Sequence, residues 1–331
     1  MTTPSQRSPA MATPIALGGV LIPPGKKQRV ELPISRLPTQ TLLSLSVTVI
    51  HGRCPGPCLW LSAAIHGDEI NGVEIIRQVL TQINPRQLKG TVIAVPIVNI
   101  FGFIDQSRYL PDRRDLNRSF PGSPRGSLAS RLAHLFMKEV VSPCAYGIDL
   151  HTASHDRCNL PQIRANLKDA ETYRLAESFG APVMIHADSR DGSLRQAAAQ
   201  RGVPVLLYEG GEALRFDGDA IAAGVQGIRR VLAALNMYAL NPEVATTPSL
   251  TAAKLTWVRA GRGGLLHMVV NLGDRVEKKQ PLGLITDAFG ESKLKVYAPC
   301  SGLVVGCARN PLVNQGDAIV HIAVIREPKL G

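Results

Sequence analysis

The sequence predicts an α/β protein, with a mostly parallel β-sheet carrying helices on both faces and a small all-β domain behind it. Three observations lead there. Short β-branched or continuously apolar runs recur from about residue 43. Amphipathic stretches with apolar residues at i, i+3 and i+4 separate most of them. The helical period then vanishes after Tyr238. Strand–helix alternation covers both faces of a sheet, favours parallel pairing and places functional sites at the carboxyl ends of strands.

In chain order, residues 1–42 form an N-terminal β- and turn-like segment that could pair with either domain. Leu43–Ile50, Leu59–Ile65, Thr91–Val98, Tyr146–Leu150, Val183–Ile185 and Val203–Tyr208 read as strands buried on both faces. Gly72–Ile83, Leu128–Val141, Ala170–Phe179, Leu194–Gln200 and Ala220–Leu235 read as helices. Asp169 and Ser193 suit N-caps, and Gly180 and Gly202 suit helix stops. These elements make one domain over 43–240. Residues 241–250, with two prolines and a Thr-Thr pair, read as a linker. From 251 to 331, strand-like runs alternate with turns such as Gly273-Asp274 and Gly316-Asp317.

Composition narrows the function. Apolar residues make up 45% and charged residues 19% of the 331, a globular balance able to bury a core. Lys plus Arg total 37 against 26 Asp plus Glu, a net charge of +11. Only 5% of residues are aromatic and the basic ones are scattered, so nucleic acid is not the expected partner. Arg108, Arg113, Arg114 and Arg118 cluster in one loop, which suits a small anionic substrate better. No apolar run approaches the ~20 residues of a membrane span. No membrane association is expected, and the strip Ile15–Ile22, which is short, stops at Pro23-Pro24 and lacks a basic flank, is a poor signal peptide. The six cysteines form no disulfide framework, and reduced thiols in the cytoplasm are the expectation. Cys54 and Cys58 lack a second pair to complete a zinc site. Homo-oligomerisation is left open.

Four stretches could carry chemistry. The strand Leu59–Ile65 ends in His66-Gly67-Asp68-Glu69, where an imidazole and a carboxylate can reach one spot while Asp68 faces elsewhere. Tyr146–Leu150 ends in His151-Thr152. If these strands are neighbours, His66, Glu69 and His151 converge, and two His plus one Glu is the ligand set of a catalytic zinc. The plainer reading is three satisfied polar residues near the surface. Asp149 is expected to point to the other side of its strand, as an outer partner only. His155 is a rival ligand that fits a solvated loop better. The loop Arg108–Gly122 offers an anion clamp, unless Asp112 and Asp115 neutralise it internally. Glu209, leaving a strand before Gly210-Gly211, could act as a base towards water, or be an ordinary turn glutamate. No Gly-x-Ser-x-Gly elbow or phosphate loop occurs.

Together, His66-Gly67-Asp68-Glu69, Asp115-Leu116-Asn117-Arg118, Asp149-Leu150-His151-Thr152 and Glu209-Gly210-Gly211 resemble the succinylglutamate desuccinylase/aspartoacylase family, within the zinc carboxypeptidase-like hydrolases. The match spans roughly residues 45–235. It implies a zinc-carboxypeptidase-like sheet and one Zn²⁺ held by His66, Glu69 and His151. It implies Glu209 as general base and acid, and Asn117 with Arg118 gripping a substrate carboxylate. Arg108 matches the family's carbonyl-polarising arginine, with Arg113 or Arg114 as alternatives. The tail, about 252–326, resembles the family's barrel-sandwich-like C-terminal domain. The attachment position of true carrier domains falls on Glu291 rather than a lysine, so a role in shaping the pocket entrance is implied. The activity implied is zinc-dependent hydrolysis of a small N-acyl amino acid. The alternatives are a zinc carboxypeptidase acting on peptides or cell-wall fragments, and a non-catalytic small-molecule binding protein.

Overall fold

A computed structural model of the chain describes residues 11–188, 190–239 and 248–326. The N-terminal segment opens with a hairpin of β1 (Ile15–Leu17) and β2 (Val20–Ile22). Next come β3 (Lys26–Arg36), β4 (Leu42–His51), β5 (Cys54–Ala63), helix α1 (Asn71–Gln82) and β6 (Lys89–Val95). The short α2 (Ile100–Ile104) leads into the arginine-bearing loop, and α3 (Leu128–Phe136) continues as a π-helical turn over Met137–Val141. Then follow β7 (Tyr146–His151), β8 (Arg157–Ala165), α4 (Ala170–Phe179), β9 (Val183–His186), α5 (Leu194–Ala199), β10 (Val205–Gly211) and α6 (Gly218–Ala234). The tail is all strand: β11 (Leu250–Arg259), β12 (Gly264–Met268), β13 (Arg275–Val276), β14 (Pro281–Thr286), β15 (Lys293–Tyr297), β16 (Gly302–Ala308), β17 (Leu312–Val313) and β18 (Ala318–Ile325).

The apolar spacing forms helices where it predicts them. The side chains of Asp169 and Ser193 cap α4 and α5 by accepting from backbone N–H groups. Gly180 ends α4 in the left-handed region at φ 69°, which glycine adopts without strain. Helices α1, α4 and α6 cover one sheet face through Ile75, Val79, Leu175, Phe179, Ile228 and Val231. Helix α3, the π turn and α5 cover the other through Leu132, Phe136, Val140, Leu194 and Ala198. No helix among the described residues is long and apolar enough to cross a membrane.

The main sheet has twelve strands in the order β13-β16-β18-β11-β9-β8-β10-β7-β5-β6-β4-β3. It is mixed, where a mostly parallel sheet was expected. The pairs joining β6, β5, β7 and β10 are parallel, as are β8–β9 and β9–β11. Pairs β3–β4, β4–β6 and β10–β8 are antiparallel. Connection length is the cause. The links β3–β4, β4–β5 and β7–β8 are too short for a helical crossover, so the chain reverses direction. The N-terminal segment thereby becomes the sheet edge, through β3.

Strand β8 was not anticipated, because Asn159, Pro161, Gln162 and Arg164 hide any apolar period. The tail also differs from a unit folding apart. Strand β11 starts at Leu250, within the expected linker, and lies parallel beside β9. Residues 241–247 of that linker lie outside the described residues. Strand β16 pairs antiparallel with β8, so β8, β9, β11, β18 and β16 close a ring of pairings around Val183, Ile185, Ala252, Val305 and Ala323. A second sheet, β15-β14-β12-β17, packs on the tail strands through Val258, Leu266, Ile285, Val304 and Ile322, giving a sandwich.

Gly147 on β7 is paired with the fully buried Trp60 on β5, and a Cβ at 147 would run into the indole ring. Gly147→Ala should therefore cost about 1–3 kcal/mol by overpacking. Urea denaturation measures this, and a loss under about 0.5 kcal/mol, the range of ordinary surface changes, would contradict the packing described.

Candidate active site

Strands β5, β7 and β10 are consecutive neighbours and bring their carboxyl ends to one edge of the sheet. His66 and Glu69 lie in the turn between β5 and α1, where the Glu69 N–H donates to the His66 carbonyl at 3.1 Å. His151 ends β7 and is paired across the ladder with Glu209 of β10. The turn is anchored by Asn71, fully buried, which donates to the Gly210 carbonyl and accepts from the Asp217 N–H, both at 3.1 Å. Gly72 lets α1 sit directly on the strands, since a Cβ there would stand 2.7 Å from those of Ala63 and Leu150.

Glu69 is 2% exposed and lies between the two imidazoles. Its Oε1 is 2.6 Å from His66 Nδ1 and its Oε2 is 2.6 Å from His151 Nδ1. Each ring turns its Nε2 to another acid. His66 Nε2 lies 3.3 Å from Asp115 Oδ1, and His151 Nε2 lies 2.9 Å from Asp149 Oδ2. Ser62 Oγ donates to the other Asp149 oxygen at 2.8 Å. Asp149 thus sits on the His151 side of the strand, contrary to expectation, because residues two apart share a face. His155 is exposed beside Asp156 and stays apart from this cluster.

Electrostatics agree with the geometry. Burial would raise the Glu69 carboxyl, yet the His66 and His151 imidazoles hold it well below the usual carboxylate range. Burial opposes charge on the histidines, but Glu69 and Asp115 raise His66, and Asp149 and Glu69 raise His151. Two protonated imidazoles around a carboxylate carry the same charge as a divalent cation between two neutral ones. One donor atom from each of the three side chains lies within 4.8 Å of the others. Two imidazole nitrogens and a carboxylate oxygen, each ring backed by an acid, fit a catalytic metal centre.

The cluster opens into a cavity of about 390 Å³. Glu209 projects into it, while Tyr208 beside it points into the core on the other sheet face. The Asn159 amide donates to Glu209 Oε2 at 2.7 Å, and Arg164 Nε is 3.6 Å from Oε1. Arg157, Asn159 and Arg164 all line the cavity although their spacing breaks a two-residue period. The reason is a bulge. Glu209 is paired with Gln162 but Gly211 with Asn159, so β8 carries an extra residue around Leu160-Pro161 and its side chains are re-aimed.

Arg108 lies at the cluster, with NH2 2.9 Å from Asp115 Oδ2 and NH1 3.5 Å from Glu69 Oε1. Asn117 and Arg118 line the cavity too. The Asn117 side-chain Oδ1 accepts from the Leu194 N–H at 2.9 Å, and its side-chain Nδ2 bonds no described residue. Arg113 and Arg114 do not belong with them: both are exposed, and Arg114 lies near Asp112 at 3.8 Å. Arg113 adopts a left-handed backbone at φ 59°, and neither side chain lines the cavity. Sequence reasoning missed Arg157, Asn159, Arg164, Arg190, Arg195, Trp257 and His321, which also line it. For those on β8 the available signal was the density of polar residues in 157–164, and nothing local marked Arg190, Arg195, Trp257 or His321.

The sequence profile of the succinylglutamate desuccinylase/aspartoacylase catalytic domain matches residues 55–235, more than half of the chain. N-alpha-acetyl-L-2,4-diaminobutyric acid deacetylase of Halomonas elongata is 27% identical over 296 residues, covering 86% of each chain. The crystal structure of a succinylglutamate desuccinylase/aspartoacylase from Rhodobacter sphaeroides is similar at a TM-score of 0.80 and 27% identity, covering 91% of this chain and 96% of that one. The ectoine utilization protein EutE (DoeB) of Ruegeria pomeroyi shares the fold at a TM-score of 0.81 and 23% identity, covering 94% and 98%. With the profile spanning the same strands that carry His66, Glu69, His151 and Glu209, the chain belongs to the succinylglutamate desuccinylase/aspartoacylase family.

Proposed function

We propose that this protein is a zinc-dependent amidohydrolase that removes the acyl group from a small, carboxylate-bearing N-acyl amino acid. The observation that carries the reading is the buried His66–Glu69–His151 trio beside Glu209 in an arginine-lined cavity. His66, Glu69 and His151 would hold the ion. Zn²⁺ supplies Lewis-acid activation of water and of the scissile carbonyl. The chain's own residues do the rest. The Glu209 carboxylate takes a proton from the attacking water and returns it to the departing amine nitrogen. The C–O bond forms, the C–N bond breaks, and a carboxylic acid and a free amine result. Asn159 fixes the Glu209 carboxylate by its 2.7 Å bond. Arg108, tied down by Asp115, offers its guanidinium to the oxygen that gains charge, a contribution typically of about 3–4 kcal/mol. The Asn117 amide and the Arg118 guanidinium hold a substrate carboxylate and align the bond.

Charge supports the acidic substrate. Six arginines line the cavity, namely 108, 118, 157, 164, 190 and 195, against the carboxylates of Glu69 and Glu209. Burial, and then the neighbouring Arg164, work against the charge of Arg195, and a bound anion relieves both. Such a lining disfavours a substrate ending in a free ammonium, the group carried by the N-acetyl-diaminobutyrate named for the H. elongata relative. N-Acyl aspartates and glutamates are therefore expected to be turned over faster than N-acetyl-diaminobutyrate. Preferential turnover of short peptides instead would favour the carboxypeptidase alternative.

Two substitutions test the roles. Glu209→Gln should keep full zinc content, measured by elemental analysis, and lose about 10²–10⁴-fold in kcat. Wild-type turnover in that variant would refute the base. Asp149→Asn should weaken zinc affinity about 10–100-fold in competition with a chromogenic chelator, because it supports His151 from behind. Stripping the metal with dipicolinate should abolish turnover, and Zn²⁺ should restore it.

A further inference from the structure

The tail strands contribute two rings to the cavity. His321 on β18 is paired with Trp257 on β11, and their rings stack with centroids 4.0 Å apart and planes 2° from parallel. The Arg157 guanidinium lies 5.3 Å from the Trp257 ring centre. Both rings line the cavity that holds Glu209. A row of paired residues crosses four strands here: Asn159 on β8, Gly306 on β16, His321 on β18 and Trp257 on β11. Gly306 keeps the row open in the middle. A Cβ at 306 would stand 2.9 Å from Asn159 Oδ1 and 3.2 Å from His321 Cβ. The residue that orients Glu209 thus faces His321 across a gap kept by a missing side chain.

His321 is 3% exposed, and its ring bonds no described residue. Burial, then Arg164 and Arg157, lower its pKa to about 4, so the ring is neutral near pH 7. A neutral imidazole carries one N–H donor and one acceptor. The ring lines the cavity, so an oxygen of a bound substrate can meet that donor. The hydrolytic step uses neither ring.

Building on the hydrolase reading, we propose that His321 and Trp257 form the wall that determines which N-acyl amino acid this enzyme accepts. His321 donates its ring N–H to an oxygen of the bound substrate. Trp257 holds that imidazole by stacking and closes the cavity to longer acyl chains.

The test compares wild type, His321→Leu, His321→Asn, Trp257→Leu and Trp257→Phe on N-acetyl-, N-succinyl- and N-hexanoyl-glutamate. His321→Leu should raise KM about tenfold or more with a smaller change in kcat, and His321→Asn, which keeps a donor, should recover most of it. Trp257→Leu should shift preference towards the hexanoyl substrate. A second readout needs no turnover: N-acetylglutamate added to Glu209→Gln protein should change tryptophan emission, and Trp257→Phe in that background should abolish the response. Unchanged KM and acyl preference in both leucine variants overturns the wall, as does emission that ignores N-acetylglutamate. Where a leucine variant fails to fold, the Asn and Phe variants and the emission decide. Emission that responds through Trp257, in a wild-type protein that hydrolyses none of the panel, supports the wall and sinks the hydrolase reading instead.

Discussion

Glu69 is buried to 2% exposure and meets an imidazole with each carboxylate oxygen, and much of the surrounding architecture serves that contact. A buried carboxylate without partners costs several kcal/mol, so the fold must deliver two donors from separate stretches of chain to one point. It does so by setting β5 beside β7 in parallel, which brings the turn after one strand and the end of the other to the same edge. The close seat of α1 at Gly72 and the Asn71 bonds to Gly210 and Asp217 then hold the turn that bears Glu69. Asp149 and Asp115 extend the network outward, and Asp115 ties Arg108 to it. Positioning of the ligands and of the arginine is therefore one connected problem.

The cavity around this cluster is cationic by construction. Its arginines come from the loop after α2, from β8 and from the segment around α5, and no single element carries the field. Strand β8 contributes Arg157 and Arg164 together because a bulge lets residues of opposite parity face one side. The same strand is where the tail attaches, through β16. The tail is thus sewn into the main sheet on both sides of a closed ring, and its rings reach the space in which Glu209 lies. A carrier-like sandwich that elsewhere would present a lysine at its tip here presents Trp257 and His321 from its inner strands, while Glu291 occupies an outer turn.

Local chemistry made much of the chain legible. The apolar spacing placed α4 to the residue, and Asp169, Ser193 and Gly180 cap and stop helices as their side chains, or lack of one, dictate. The strands β5, β7 and β10 were visible as apolar runs because both of their faces are buried. Their terminal His66, His151 and Glu209 stood out for the same reason, as polar groups where an apolar run stops. Strand β8 was not legible, since a strand lining a polar cavity carries the composition of a loop.

What the amino-acid sequence determined alone was the set of elements and the candidate ligands, because period, caps and motif residues are short-range properties. Only the tertiary structure decided which strands lie side by side, that the sheet is mixed, that Asp149 backs His151, and that Arg113 and Arg114 point away. It also decided that Trp257 and His321, more than a hundred residues beyond the last of the ligands in the chain, share their cavity. Strand order, bulges and pairing across long loops depend on contacts between distant segments, and no local pattern encodes them.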